Sequence, residues 1–465
     1  MEEALPEESK QMPPCDQPWD RSLSDSAVAL LRALKAIEDG GSLDLFQPDP
    51  YLDKLKMMAK TYRGSLHSAA CQRLQQTLSL GGVSVVSSTD IMSAIVSLWQ
   101  DSISELSGPE IILLKRLLED PGSSLNEMAA RENLTYGRVR RAYLRMSQSG
   151  VVRMEGMLNY AELGLERMLV IFENPAMVFR SSYIEHMLFV DGPSPLAYQV
   201  VTYPVQNQTD VLQYVRSMRS QAGNISMFKL GTGKPRFSDF YLRHGTASWY
   251  PDMLHFRLVL RNGGTPITIG DELPSTVASH SFTESELRVA DIMRRDYETR
   301  AADIANETGL SESAVFRIRH SLRNKSVVLP RARIDIPQLS ERMIVTLPSD
   351  TAGDILPAWS LLPLTYVSRI TNMEAKDESR ILLVSALPPG AGVDILNILQ
   401  SETSRIDALS IHVVSAGLEG RMSMGGLFDR RSRSFRWNQG DFFEVQSYGV
   451  VRHEARADSI PLDLA

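Results

Sequence analysis

Leu106–Val152 reads LSGPEIILLKRLLEDPGSSLNEMAARENLTYGRVRRAYLRMSQSGVV, and Phe282–Val328 reads FTESELRVADIMRRDYETRAADIANETGLSESAVFRIRHSLRNKSVV. The two stretches align without a gap at a constant offset of 176. Glu110 falls on Glu286, Asp120 on Asp296, Ala129 on Ala305, Leu134 on Leu310, Val139 on Val315, Arg141 on Arg317 and Val151–Val152 on Val327–Val328. Apolar positions persist between the identities, and self-similarity at a fixed period marks a duplicated architecture. The likeness continues downstream: Glu166–Val170 returns as Glu341–Val345 at offset 175, and Arg243 and Trp249 return as Arg431 and Trp437 at offset 188. The chain therefore carries two units of about 170 residues each.

In the first unit, Ser107 with Glu110 three residues later forms a capping box ahead of Ile111, Leu114, Leu117 and Leu118. Pro121–Gly122 breaks that helix. Leu125–Glu132 predicts a short second helix, Asn133–Leu134–Thr135 a tight turn and Tyr136–Ser147 a third helix. Gly150 stops the third helix, and Val151–Met157 reads as a β wing. The second unit repeats the plan with Thr283 and Glu286 as the cap and helices over Glu284–Arg295, Arg300–Thr308 and Glu312–Arg323. Its turn is Gly309–Leu310–Ser311, where glycine supplies the positive φ that such a turn needs.

Beyond the second wing the apolar spacing alternates between periods of two and 3.6. It predicts strands over Arg342–Pro348, Thr365–Asn372, Arg380–Leu387 and Leu409–Ser415, with helices over Ala352–Leu361 and Val393–Glu402. That order is β-α-β-β-α-β, the ferredoxin-like plan. In the first unit the matching pieces are a strand over Met168–Glu173, a helix over Val178–Met187, a short strand near Phe189, a strand over Ala197–Tyr203, a helix over Thr209–Arg219 and a strand over Ile225–Leu230.

This order of elements, with the turn Gly309-Leu310-Ser311-Glu312-Ser313-Ala314-Val315, resembles the Lrp/AsnC (feast/famine) family of prokaryotic transcription regulators. The resemblance spans Leu106 to about Leu230 and Phe282 to about Gly417. It implies an α+β fold of tandem winged helix-turn-helix domains, each followed by a ferredoxin-like (βαββαβ) domain, here with an N-terminal helical region in front. The expected division is a disordered leader at 1–22, a helical region at 23–104, a first winged helix-turn-helix at 105–160 and a first α/β domain with its tail at 161–262. A linker at 263–281, a second winged helix-turn-helix at 282–336, a second α/β domain at 337–420 and a C-terminal tail at 421–465 complete it. The resemblance also implies DNA binding through the winged domains, dimerisation through the α/β domains and small-molecule sensing there. The chain departs from the family in fusing two units, in its helical preamble and in tails that carry Trp249 and Trp437.

The third helix of the first unit gathers four arginines and no acid between Tyr136 and Ser149. At 100° per residue Val139, Ala142, Tyr143 and Met146 share one face, while Arg138, Arg141 and Arg145 share the opposite sector with Arg140 at its margin. Arginine forks onto guanine edges or phosphates, so this pattern suits a major-groove helix. Thr135, Tyr136, Arg138, Arg140, Arg141 and Arg145 are the candidate DNA contacts of the first unit, and Ser311, Ser313, Phe316, Arg317, His320 and Arg323 those of the second. The basic and aromatic stretch Arg430–Trp437 fits either a nucleic-acid contact or a β hairpin with a charged edge.

A net charge of −7 opposes nucleic-acid binding in bulk, so the case rests on this local concentration of positive charge. Two cysteines, Cys15 and Cys71, are too few for a disulfide framework and lack zinc-site spacing; with no apolar run long enough to span a membrane, they point to the cytoplasm. No catalytic, metal or cofactor-binding residue is assigned. The expectation is a sequence-specific DNA-binding transcription regulator that is not an enzyme. Its expected partners are double-stranded DNA and a small-molecule effector, its α/β domains pairing as an intrachain pseudo-dimer open to further homo-dimerisation. Two alternatives stand beside it. Siroheme decarboxylases resemble the same two-domain plan, and their activity depends on histidine and tyrosine near the α/β sheet; here Leu196–Val201 offers Tyr198 without a neighbouring histidine. The other alternative is a winged-helix adaptor that binds protein partners.

Overall fold

The structure, a computed structural model, describes residues 22–41, 50–79, 85–243, 248–264, 269, 281–375, 378–402, 409–420 and 422–457. The leader expected at 1–22 and the linker expected at 263–281 lie almost wholly outside these residues. The chain divides into two compact units, Met1–Glu105 and Leu106–Ala465.

The first unit holds four helices, α1 (Asp25–Glu38), α2 (Pro50–Thr61), α3 (Leu66–Ser79) and α4 (Ser88–Ser104). Ser24 caps α1, and Ser87 with Asp90 forms a capping box on α4, which fixes where each helix starts. Leu34, Leu55, Met58, Leu66, Ile91 and Ile95 are fully buried. Trp99 turns its ring inward and donates from Nε1 to Thr61 Oγ1 at 2.8 Å, so burying the indole leaves no polar group stranded.

The first half of the second unit runs α5 (Gly108–Glu119), α6 (Leu125–Arg131), α7 (Tyr136–Ser149), β1 (Val152–Leu158), β2 (Leu165–Glu173), β3 (Met177–Phe179), β4 (Ile184–Val190), β5 (Leu196–Pro204), α8 (Gln208–Ser217), α9 (Arg219–Ala222) and β6 (Asn224–Leu230). An extension follows: β7 (Lys234–Phe237), β8 (Leu242–Arg243), β9 (Ser248–Trp249) and α10 (Met253–Asn262). The second half runs α11 (Glu284–Arg295), α12 (Ala301–Thr308), α13 (Glu312–Asn324), β10 (Val328–Ile334), β11 (Glu341–Pro348), α14 (Ala352–Trp359), β12 (Leu364–Asn372), β13 (Ser379–Leu387), α15 (Ala391–Glu402) and β14 (Ser410–Val414). Its own extension is β15 (Ala416–Glu419), α16 (Met424–Leu427), β16 (Phe428–Asp429), β17 (Ser434–Phe435), α17 (Gln439–Phe442), β18 (Val445–Ser447) and α18 (Tyr448–Glu454).

The two halves share backbone detail as well as order. Ser107 N donates to Glu110 Oε2 at 2.7 Å, and Thr283 N to Glu286 Oε2 at 2.8 Å, so the same capping box opens α5 and α11. Left-handed residues recur at equivalent positions, Asn133 with Gly309 and Gly150 with Ser326, each closing a helix. The strand after each third helix pairs with its counterpart: β1 and β10 form an antiparallel ribbon with Val152 opposite Ile334 and Leu158 opposite Val328. Glu155 lies opposite Arg331, its own equivalent under the 176-residue offset, so a local twofold passes through that pair.

The main sheet follows the order β14-β11-β13-β12-β6-β2-β5-β4-β15, with β7 continuing β6 along β12. Its two ends, β14 and β15, are consecutive in the chain and separated only by Ser415, so the sheet closes on itself. Each half contributes four strands and its extension a fifth, β7 or β15, and the halves join where β6 and β7 meet β12 and where β15 meets β4. The extensions are exchanged. Tyr241 and Phe256 of the first pack into the core beneath α14 and α15, while Phe442 and Val451 of the second pack into the core beneath α8. The fold is α+β, with one large sheet.

The sequence pattern misplaces one element. The helix expected over Val178–Met187 is instead β3 followed by the start of β4. Gln199 explains the difference: fully buried, it donates from Nε2 to Phe179 O at 3.0 Å and accepts from Phe179 N at 3.2 Å. With β18 pairing on β3 as well, the extended backbone is satisfied by partners remote in sequence, and the local helical period is overridden. Arg430–Trp437 includes the return of a hairpin, Phe428 pairing with Phe435.

Gly156 tests the ribbon. A Cβ there would stand 2.6 Å from Met293 O and 2.6 Å from Val328 Cγ1, both held by packed elements. We expect Gly156→Val to lower stability by about 1–3 kcal/mol, read as a lower urea midpoint. An unchanged midpoint would show that the ribbon does not pack on α11 in solution.

Candidate functional site

The residues expected on DNA remain on two helices. On α7, Thr135 occupies the cap position, and Thr135, Tyr136, Arg138, Arg140 and Arg141 are exposed. Arg145 is turned inward. Its Nη1 lies 2.7 Å from Glu110 Oε1, and the side chains are 17% and 3% exposed, so this arginine ties α7 to the start of α5. On α13, Ser311 caps the helix by accepting from Ala314 N and also meets Ser313 Oγ at 3.2 Å. Phe316 stands 69% exposed, Arg317 donates to Ser313 O at 3.4 Å, and His320 meets Asn324 at 2.9 Å. Arg323 lies over the Tyr297 ring at 4.7 Å, a cation–π contact that fastens α13 to the α11–α12 connection. Arg319 donates to Thr299 O and Tyr297 O at 2.9 and 3.0 Å.

A second group of side chains lies inside the closed sheet. Strand alternation sets it apart. Ala197, Val201 and Tyr203 join the core beneath α8, so Tyr198, Val200 and Thr202 face the other way; Ile411 packs toward α15, so Ser410 and His412 do the same. At one end of this inner face, His412 and Tyr198 approach with ring centroids 6.2 Å apart. Ser410 Oγ lies 2.5 Å from His412 Nε2, and the same hydroxyl acts on the Tyr198 phenol. The three side chains thus stand in a row, tyrosine, serine and imidazole, as a candidate relay. Burial pushes the tyrosine hydroxyl up and the imidazole below its ordinary 6.5, the latter against an opposing pull from Glu173. The relay thus holds a protonated phenol and a neutral imidazole at neutral pH, the states from which a proton can be given or taken.

At the opposite end of β2 and β5, a charged cluster surrounds Glu185. Tyr160 donates to Glu185 Oε2 at 2.9 Å, Thr202 to its other oxygen, and Arg167 Nε lies 3.5 Å away. Burial pushes this carboxyl up, but the Arg167 and Arg294 guanidiniums outweigh it and hold the group ionised. Glu185 sits in a register shift of β4 between Ile184 and His186. This bulge aims its side chain at arginines from β2 and α11.

No protein-family model matches the sequence, and no curated protein is similar to it at significance. Among solved structures, the chain is similar to the siroheme decarboxylase NirDL, with a TM-score of 0.38 at 12% identity over 70% of this chain and 94% of that one. It is similar also to NirDL in co-complex with an iron-uroporphyrin III analogue, with a TM-score of 0.39 at 11% identity over 68% and 95%. Both are structures of an enzyme. The expectations of a DNA-binding transcription regulator and of a protein without enzymatic activity are corrected here. Within the chain, β1 and β10 pair with each other, Arg145 is tied to Glu110 and Arg319 to the carbonyls of Tyr297 and Thr299, whereas Arg138, Arg140, Arg141 and Arg323 stand exposed. Among the described residues no helix is long and apolar enough to cross a membrane.

Ser410 and His412 were not singled out in the sequence. Tyr198 was, but its partner comes from the other half of the chain, and no local motif joins them. Stability should report the pairing. A folded-state imidazole pKa below 6.5 means that the unfolded chain binds more protons between the two values, so stability is lost as pH falls through that window. We expect the melting temperature to drop on acidification from pH 7 to 5, and the drop to shrink in His412→Phe. Equal acid sensitivity in the two proteins would place His412 in water.

Proposed function

We propose that the chain is an enzyme acting on a tetrapyrrole that carries carboxylate side chains, with Tyr198, Ser410 and His412 as its proton relay. The observation that supports this reading is the meeting of Tyr198 with His412 across the closed sheet. We further infer a cytoplasmic chain of two fused Lrp/AsnC-like halves, each a winged helix-turn-helix with a ferredoxin-like domain, paired as an intrachain pseudo-dimer. The pairing matters chemically because neither half holds the relay alone. Removing a carboxyl group breaks a carbon–carbon bond, releases carbon dioxide and leaves an electron pair to be protonated. A buried phenol backed by serine and imidazole can supply that proton and be reprotonated from the far end. Arg380, 15% exposed and close enough to act on the Tyr198 hydroxyl, offers the cation that a substrate carboxylate needs.

The fit is limited to an edge. Tyr198 is 1% exposed, whereas Ser410 and His412 are half-buried, so a broad planar ring meets the relay only through a side chain at its rim. Titration of the full chain with iron-uroporphyrin, followed by absorbance, should give a saturable shift of the main absorption band. Tyr198→Phe should keep that shift and lose about 10²-fold or more in the rate of carbon dioxide release. No spectral shift at micromolar protein, or unchanged turnover in both Tyr198→Phe and His412→Ala, would overturn the reading.

A further inference from the structure

The duplication gives residues of the inner face a counterpart in the other half, and strand register names it. Ile171 and Thr346 are equivalent at the offset of 175. Tyr198 lies opposite Ile171 and Leu382 opposite Thr346, so leucine stands where the other half has tyrosine. In the same way Ser226, opposite Ile171, matches Ser410, opposite Thr346, and Phe228, opposite Leu169, matches His412, opposite Ile344. Leu196, opposite Glu173, matches Arg380, opposite Pro348, and Glu173 itself matches Pro348. Of the five polar side chains Tyr198, Ser410, His412, Arg380 and Glu173, the counterpart keeps the serine alone.

The replacements make energetic sense. Burying a hydroxyl, imidazole, guanidinium or carboxylate costs free energy unless it finds partners, whereas apolar side chains gain by the same burial. Leu382, Phe228 and Leu196 are buried, and none of them needs a polar partner. A place without chemistry is best filled in this way. The other place holds its polar set, including a tyrosine buried as deeply as the leucines, and such a departure from an apolar core marks a site in use.

Glu173 belongs to this set by geometry. Met168, Val170 and Phe172 of β2 enter the core beneath α8, so Leu169, Ile171 and Glu173 face inward, and Glu173 stands two residues beyond the one that pairs with Tyr198. Asn224, its neighbour on β6, donates from Nδ2 to Glu173 Oε2 at 2.9 Å and orients the carboxylate. That charge favours the protonated form of both Tyr198 and His412. Among the described residues the groups that face the imidazole are Tyr198 on β5, Ser410 on its own strand and Glu173 on β2, with Arg380 on β13 acting on the phenol. An imidazole near a carboxylate takes up a proton more easily, and that uptake reloads a phenol that has given its own away. Pro348 offers no such charge at the counterpart.

We propose that the chain has a single reacting centre and that Glu173 is its positioning residue, the carboxylate on β2 that prepares His412 to take up a proton. Resting on the function proposed above, this leaves the counterpart around Leu382 and Phe228 with a purely structural part.

Proton NMR of the imidazoles in the full chain reads Glu173 without any substrate. The His412 signal is the one lost in His412→Phe, and in Glu173→Gln its titration should move to lower pH, a loss of about threefold or more in proton affinity. Glu312→Gln, the same change of net charge on exposed α13, should leave it in place. In the absorbance titration with iron-uroporphyrin the chain should bind one equivalent, and the limb of the pH–kcat profile set by His412 should move in Glu173→Gln as the NMR signal does. Phe228→Leu should leave that limb and kcat as they are. A His412 signal unmoved in folded Glu173→Gln would overturn the role of Glu173. Two equivalents bound, or about half the rate left in Tyr198→Phe, would overturn the single centre. A chain that gives no spectral shift at all loses the proposed function and the single centre together, whereas the imidazole titration still decides Glu173.

Discussion

Backbone pairing across the two seams, β6 on β12 and β15 on β4, is the constraint on which the rest of the molecule depends. A four-stranded sheet standing alone exposes two rows of unpaired amides and carbonyls, and natural proteins cover or pair such edges. Here each half pairs the edge of the other. At Ser415 the chain changes partner: Val414 still pairs with Arg342 of β11, while Ala416 already pairs with Phe189 of β4. Ser415 fastens the crossing by donating from both N and Oγ to Phe189 O, at 2.8 and 2.9 Å. Closure brings the inner faces of the halves together, and only for that reason does a tyrosine of β5 lie beside a histidine of β14.

The same constraint explains why the extensions change sides. A chain leaving β6 or β14 along the partner's edge strand has already crossed into the partner half, and the nearest uncovered apolar surface is there. The first extension completes the core around Trp359 with Phe256, and the second completes the core around Phe179 with Phe442, rings packed 5.9 and 6.2 Å apart. Separating the halves would expose both cores as well as both seams. The two halves therefore form one core assembly, and a duplication freed from symmetry can keep polar groups at one of two equivalent places and fill the other with apolar side chains.

Much of this organisation is legible in the sequence, and what is not has a common cause. The three-helix units could be read because their signals are local: Ser107 with Glu110, Thr283 with Glu286, and Gly150 and Gly309 in left-handed conformations. The strands of the second half were readable for the same reason. The segment Val178–Met187 was misread because the groups that hold Phe179 extended, Gln199 and β18, lie far away in sequence. The arginines of α7 and α13 could be counted but not placed, since a helical wheel shows the sector of Arg145 and not the buried Glu110 that claims it. The relay was invisible on the same ground, because it exists only once the sheet has closed.

Burial alone does not decide what the inner polar groups do. Glu185 and His412 occupy opposite ends of the same enclosed face, and desolvation disfavours the charged form of each. Glu185 stays ionised because two guanidiniums, a phenol and a threonine hydroxyl surround it; removing one charged partner from such a cluster costs several kcal/mol, about 3–5 in comparable cases. His412 has a single carboxylate acting on it, Glu173, against a larger desolvation, and its imidazole is left neutral. A charge fixed by that many partners cannot readily be given up, so the Glu185 end is suited to holding β2, β4 and α11 in place. A neutral imidazole beside one hydroxyl and a protonated phenol can change state at little cost to the fold, which is why the proposed proton transfer is placed at the other end.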